Sequence, residues 1–364
     1  MSKNVRTAIA FVLLGGVVLL ALVGRYMTSG EKPLLVREQK AILSIMSTRG
    51  KIVLAVPADR PELTRTAYQS AVKAARRVET LMSAHMEGTD IHALNEASAN
   101  HLVPVMPGTV RVLEAAQTLH QQTAGAFDVT VGPVIELWKE AASEDRLPTS
   151  SELAEARAAS SWEQLDISPN GVTKSSDSVR VDLGGIAKGY AIDQAVEALR
   201  ARDVPGGLVE IGGDLRCFGR HYDGRPWTVA VQNPFDPNGK QALCYLALDG
   251  EDAAAVCTSG NYRRSITIAE QQFSHIIDPR TAMPVDHAPS VTVVAPTAMR
   301  ADAWATALSV LGPDGLEMLP PEGKIEAMIV TGTADAMKTF RTPGFEKLIL
   351  QNQPAALPLG FVGR

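Results

Sequence analysis

The sequence has 364 residues, of which 45% are hydrophobic and 21% charged, and carries a formal net charge of -5. That length allows a large core, in one domain or two lobes. With mild acidity and no long basic run, nothing in the sequence suggests a nucleic-acid partner.

In chain order, Lys3 and Arg6 precede an uncharged stretch from Thr7 to Gly24 that Arg25 closes. A helix of about eighteen residues rises about 27 Å, close to the hydrocarbon thickness of a thin bilayer. Ala21-Leu22-Val23 supplies no clean small-x-small cleavage site, and no cysteine follows that could carry an acyl chain. The leading positive charges would hold the N-terminus in the cytoplasm and send the rest outward. Residues 1–30 are therefore expected to be a signal anchor, with cleavage as the alternative. A globular domain over 31–350 and a proline-rich tail over 351–364 follow.

Residues 41–57 predict a strand pair turning at Ser47–Gly50. Ala67, Ala71, Ala74, Ala75, Val78 and Leu81 recur at helical spacing, predicting a helix from Pro61 to about Met86. A polar loop with a short helical piece leads to a helix over about 108–123, and a polar Ala/Glu/Ser-rich segment spans 139–165. Beyond it strands and helices alternate: a helix at 190–202, strands at 207–211 and in "PWTVAV", "ALCYLAL" and "SVTVVAP", then a helix at 299–312. No repeat of 20–50 residues is present. This order predicts an α+β fold rather than a regular βαβ array. Cys217, Cys244 and Cys257 show no metal-ligand spacing and read as small core residues, although an oxidising compartment would permit one disulfide.

Five stretches could carry chemistry. In "VDLGGIAKGYAID" an apolar run meets Gly184 and Gly185, then Lys188 at the start of a helix. Glycines without Cβ atoms let a ligand approach the backbone, and amides at a helix start can meet an anion; a tight turn with a solvated lysine is the plainer alternative. In "APTAMRADAWATALSVLG" Asp302 and Thr306 stand four apart, so their oxygens share one helix face. Hard oxygens suit Mg²⁺, which shares its shell with substrate phosphate, while dipole compensation and packing would explain the same pair. In "FSHIIDPRTAMPV" His275 is placed in an apolar strand, as a general base or as a satisfied core residue. "EIGGDLRCFG" and "CTSGNY" add two more small-residue turns after apolar strands, the construction of phosphate cradles. No P-loop, dinucleotide fingerprint or G-x-S-x-G elbow occurs.

Together and in this order, "AFDVTVGPVIELW", "VDLGGIAKGYAID", "GGDLRCFG", "TSGNY", "HIIDPRTAMPV" and "VTVVAPTAMRADAWATAL" resemble the FAD:protein FMN transferases, the ApbE family, over about residues 41–345. The resemblance implies a mixed-sheet, two-lobed, T-fold-related α+β domain. It implies binding of FAD and Mg²⁺ and transfer of FMN to a threonine of an acceptor protein, releasing AMP. It places Gly185 (through its carbonyl), Asp302 and Thr306 on the metal, and Met46, Asp128, Lys188 and Ile277 on FAD. His275 becomes the base for the acceptor hydroxyl. The acceptor would be a subunit of a respiratory electron-transfer complex carrying a threonine motif. With the anchor, this implies a bacterial inner-membrane enzyme facing the periplasm.

The sequence departs from the family pattern at three positions. Ala282 follows "HIIDPRT" where relatives usually have Gly, His85 aligns where relatives often have a flavin-stacking aromatic, and Ala305 stands where some relatives place a second aspartate before the metal-binding threonine. Two other activities use the same residues: a Mg²⁺-dependent FAD pyrophosphatase giving FMN and AMP, and a non-catalytic flavin-binding protein.

Overall fold

The computed structural model describes residues 34–236, 238–239, 241–248, 254–260, 265–351 and 361–362. The expected anchor lies outside them, as does most of the expected tail. Among the described residues no helix is long and apolar enough to cross a membrane.

An eight-stranded sheet organises the chain. It contains β1 (Leu35–Ile45), β2 (Thr48–Pro57), β5 (Gly206–Ile211), β6 (Asp214–Gly219), β9 (Ala255–Gly260), β14 (Ser290–Ala295), β15 (Glu326–Thr331) and β16 (Lys338–Arg341), and they lie side by side in that order. Every pairing within it is antiparallel; parallel strand pairing is found between β7 (Trp227–Gln232) and the short β17 (Phe361–Val362).

Alternation along the strands builds two cores. Ile52, Leu54, Val209, Ile211, Cys257, Val291, Val293 and Ile329 face a layer of helices. Val53, Leu208, Leu215, Cys217, Val256, Val294 and Met328 face the other way, onto β7 and β8 (Ala242–Leu248). One residue of slip would exchange these faces, so the pattern fixes the register.

The helical layer holds α1 (Pro61–Met82), α6 (Ala187–Arg200) and α7 (Ala298–Leu311), with α2 (Asp90–Glu96) and α3 (Pro107–Gln122) beside them. α7 is buried on nearly every side. Its small residues and Gly189 let it approach α6 closely: a Cβ on Gly189 would lie 2.1 Å from the Ala298 carbonyl oxygen. Asp193 of α6 then caps α7, accepting from the amides of Ala298 at 2.8 Å and Met299 at 2.9 Å. Arg216 of β6 donates to the same carboxylate at 2.9 Å, tying helix, helix and sheet together.

A smaller lobe forms around α4 (Gly132–Ser143) and α5 (Ser150–Ala159), packed with β10 (Ser265–Ile268), β11 (Gln271–Ser274) and the β12–β13 pair (Ile277–Asp278, Met283–Pro284). The two-lobed α+β architecture expected from the sequence is thus present. α5 was missing from the sequence expectation because it buries no residue, which leaves no apolar stripe to read. Its local signal was Thr149 and Glu152, which form a reciprocal capping box.

Other boundaries move. The first hairpin turns at Met46–Ser47, not Ser47–Gly50, with φ of +48° and +59°, and β1 begins before residue 41. The run before Gly184 is not a regular strand: Val179, Val181 and Leu183 are buried, but only Arg180 makes a bridge, to Val131. His275 is in no strand; it occupies an exposed bend between β11 and β12. Cys217 and Cys257 are buried and Cys244 half-buried, and none of the three is in a disulfide.

Candidate active site

Four of the expected residues come together where α6 meets α7. The Gly189 amide donates to Asp302 Oδ2 at 2.8 Å, and Lys188 Nζ lies 3.2 Å from Asp302 Oδ1. Lys188 also bonds Asp214 Oδ2, a residue that the sequence reading had not singled out. Asp302 and Asp214 are each 3% exposed. The anion met by the start of α6 is therefore the protein's own Asp302 carboxylate.

Thr306 stands one helical turn after Asp302, and its hydroxyl donates back to the Asp302 carbonyl at 3.3 Å. That spends its hydrogen and leaves lone pairs for another partner. A Cβ on Gly185 would sit 3.2 Å from Thr306 Oγ1 and 3.3 Å from the Phe127 ring, so this glycine keeps a narrow space open. Carboxylate, hydroxyl and backbone carbonyl are all hard oxygen donors, and they fit a Mg²⁺ that takes the rest of its shell from water and pyrophosphate. No cluster of three His, Cys, Asp or Glu side chains able to hold a metal exists among the described residues. Ala305, next to Thr306, adds no carboxylate and is fully buried in the helical-layer core.

Burial pushes the Asp302 carboxyl up to about 6; Lys188 pulls it down and Asp214 adds to the rise. Burial works against the Lys188 ammonium too, yet the two carboxylates outweigh it and hold its pKa above the usual lysine value.

The residues that shape Gly185 are anchored from outside. Asp182 Oδ1 accepts the Gly184 amide at 2.7 Å, and the Asp182 amide donates to the Val129 carbonyl at 2.8 Å. Asn95 grips the Val181 backbone with two bonds, and the buried Lys174 ammonium donates to the carbonyls of Asn95 at 2.6 Å and Val179 at 3.3 Å. Burial holds the Lys174 pKa below its ordinary value.

Asp128 is placed by the segment running alongside 180–182. Its Oδ1 accepts the Thr130 amide and hydroxyl, both at 2.7 Å, and its Oδ2 lies 3.3 Å from His120 Nδ1. It opens onto a cavity of about 580 Å³, whose walls include His120, Trp162, Arg157, Pro279 and Arg280. Phe127, its neighbour in sequence, is the residue that faces Gly185, so one step of the chain links the cavity wall to the α6–α7 site.

Met46 is at the tip of the β1–β2 hairpin. Its amide donates to Glu79 Oε1 at 2.7 Å. The β5–β6 turn lies beside it, with the Gly212 amide donating to the Arg49 carbonyl at 2.8 Å. Gly212 and Gly213, with φ of +61° and +97°, satisfy that hairpin turn, and the Gly213 amide is taken by Glu210. The expected phosphate cradle is not built by these two glycines. In "CTSGNY" the strand ends at Gly260 and the next four residues lie outside those described.

Ile277 turns its side chain into the small-lobe core, and its backbone runs opposite Pro284 in the β12–β13 pair. The turn that follows keeps a glycine-like backbone: Ala282 has φ +59°, its methyl is buried, and its carbonyl accepts Trp138 Nε1 at 2.9 Å. His85 is exposed in the segment after α1. Asp193, Asp214, Glu79 and Asn95 escaped the sequence reading. The first two stood inside motifs already quoted, but strand and helix spacing alone could not say which carboxylate would face which cation.

Residues 46–329 match the family model described as the ApbE family. The chain is 32% identical over 279 residues to the FAD:protein FMN transferase of Haemophilus influenzae, spanning 74% of this chain and 80% of that protein. It is 29% identical to the protein of the same description from Escherichia coli K12, over 76% of this chain and 79% of that one. The fold superposes on the flavin transferase ApbE of Vibrio cholerae with a TM-score of 0.75 at 28% identity, covering 86% of this chain and 99% of the other. For the ApbE protein of Thermotoga maritima the TM-score is 0.76 at 29% identity, covering 87% and 100%. With several of the sequence blocks meeting at the α6–α7 junction and the match extending over most of its length, this chain belongs to the ApbE family.

Proposed function

We propose that the chain is an FAD:protein FMN transferase that uses Mg²⁺ to move FMN from FAD onto a threonine hydroxyl of an acceptor protein. The observation that carries this reading is the Gly185–Lys188–Asp302–Thr306 cluster, where oxygen donors for a cation and an ammonium for phosphate meet at two helices.

Asp302, Thr306 and the Gly185 carbonyl would hold Mg²⁺. When bound, that ion would neutralise the pyrophosphate and favour departure of AMP. Lys188 supplies a fixed positive charge beside it. His275, exposed at its bend, is open to a protein substrate and takes the proton of the incoming threonine. The threonine oxygen forms a bond to the FMN phosphorus. The bond from that phosphorus to the bridging oxygen breaks, and its electron pair leaves with AMP. Phosphoryl transfer asks the protein mainly for position and charge, which this site offers.

The same cluster serves FAD hydrolysis if water replaces threonine, so the deciding experiment supplies an acceptor. The purified full-length chain is incubated with FAD, Mg²⁺ and a threonine-motif acceptor domain, then denatured. Covalent flavin fluorescence and a mass gain on the acceptor, with AMP released and both lost in EDTA, are expected. AMP and free FMN without labelling would make the chain a pyrophosphatase; retained FAD without AMP would make it a binding protein.

We place the acceptor among respiratory electron-transfer subunits and the catalytic domain on the periplasmic side of the inner membrane. Lys3, Arg6 and the uncharged Thr7–Gly24 stretch support that placement. Protease added to intact spheroplasts should digest the domain; full protection would put it in the cytoplasm.

A further inference from the structure

Lys188 is held between two buried carboxylates from different elements. Its contact with Asp214 is the shorter, and Asp302 Oδ1 lies 3.2 Å away. The two carboxylates are fixed differently. Asp214 Oδ1 accepts the Thr258 amide of β9 at 2.9 Å, so its other oxygen is a rigid post on the sheet. Asp302 gives Oδ2 to the Gly189 amide, which leaves Oδ1 as the oxygen shared with the lysine.

A cation arriving at Asp302 therefore meets an ammonium already in contact with its ligand. We propose that Asp214 is the seat that parks Lys188, so that Asp302 Oδ1 can be given to a divalent cation without expelling the lysine from the site. This rests on the reading of Asp302 as a Mg²⁺ ligand. Asp214 is then a positioning residue. It gives Lys188 a second partner, which keeps the lysine in the site when Asp302 Oδ1 turns to the metal. Without the Asp214 charge, the lysine has Asp302 as its one anionic partner among the described residues, and a metal must break a desolvated pair to bind.

The test is calorimetric titration of Mg²⁺ into flavin-free full-length protein. ADP is held at a concentration that saturates each variant, because it offers a pyrophosphate with no flavin to transfer. D214N is expected to bind Mg²⁺ about tenfold more weakly or worse, in line with the loss of one partner from a buried charge pair. K188M placed on top of D214N is expected to recover much of that loss, since no internal cation then competes. Wild-type affinity in D214N would overturn the proposal. A double variant as weak as D214N would overturn it as well, showing that Asp214 acts through its own charge on the metal. D302N separates the two layers. It should lose binding altogether, and if it keeps wild-type affinity, or the wild type binds none, the metal reading itself fails. Thermal melts of each variant confirm that the titrated protein is folded.

Discussion

The α carbon of Gly185 faces Thr306 so closely that a methyl group there would lie 3.2 Å from both the threonine hydroxyl oxygen and its Cγ2. The relationship joins two family motifs that are far apart in sequence, and it explains why a side chain is missing at that turn. Gly185→Ala should push Thr306 back by a few tenths of an ångström and cost about 1–3 kcal/mol in overpacking. The expected signature is a raised Mg²⁺ requirement for turnover with a smaller change in the KM for FAD. A Mg²⁺ titration at saturating FAD reads it, and an unchanged requirement would remove Gly185 from the metal cradle.

Asp302 and Thr306 should separate by degree. Asp302→Ala removes the buried carboxylate and strands the Gly189 amide that donates to it. Mg²⁺-dependent turnover should be lost, and an active variant would remove the metal assignment. Thr306→Val keeps the shape and deletes the lone pairs, so the enzyme should stay folded and need about tenfold more Mg²⁺, the scale of one lost ligand interaction of ~1.4 kcal/mol. Turnover measured against Mg²⁺ concentration distinguishes the two.

His275 is exposed, at a bend between two short strands, so its replacement should not open a core cavity. His275→Ala should retain FAD while transfer falls by about 10²–10⁴, the usual contribution of a general base. Flavin binding followed by fluorescence and transfer followed by acceptor mass would show the split. A parallel loss of both would make the residue part of the binding surface.

The sequence was most legible where chemistry and spacing coincide. Asp302 and Thr306 sit four apart on one helix face, and the structure keeps them adjacent, with the threonine hydroxyl on the Asp302 carbonyl. Continuous apolar runs located most central strands because both sheet faces are covered. What stayed hidden depends on tertiary partners. Asp193 reads as one more helical acid, yet its carboxylate caps α7 and holds Arg216. Asp214 reads as a turn residue until Lys188 from another element arrives at it. Met46 was expected on FAD, but nothing local announced a turn formed by two non-glycine residues with positive φ, held from α1 by Glu79. Such strain of about 1–3 kcal/mol per residue persists only when neighbours impose it.

His120 supplies a prediction in pH. Its Nδ1 lies 3.3 Å from Asp128 Oδ2 and 3.2 Å from the Phe127 carbonyl oxygen. Both are acceptors, so Nδ1 carries a proton and the second proton goes to Nε2. The bond to Asp128 raises the histidine pKa above its ordinary 6.5, burial opposing it. A histidine pKa raised on folding contributes stability that is fully present below the unfolded value of about 6.5 and is lost as pH rises through the folded one. The His120 ring proton resonance should therefore titrate above 6.5 in the native chain. Asp128→Asn should bring it down to or below that value, because burial remains when the carboxylate charge is gone. The melting temperature gap between the two proteins should be wider at about pH 5.5 than at about pH 8.5, on either side of the titration. A gap that widens toward high pH would mean that Asp128 favours the neutral imidazole, and a gap that does not change with pH would leave Asp128 to act through its bonds to Thr130 alone.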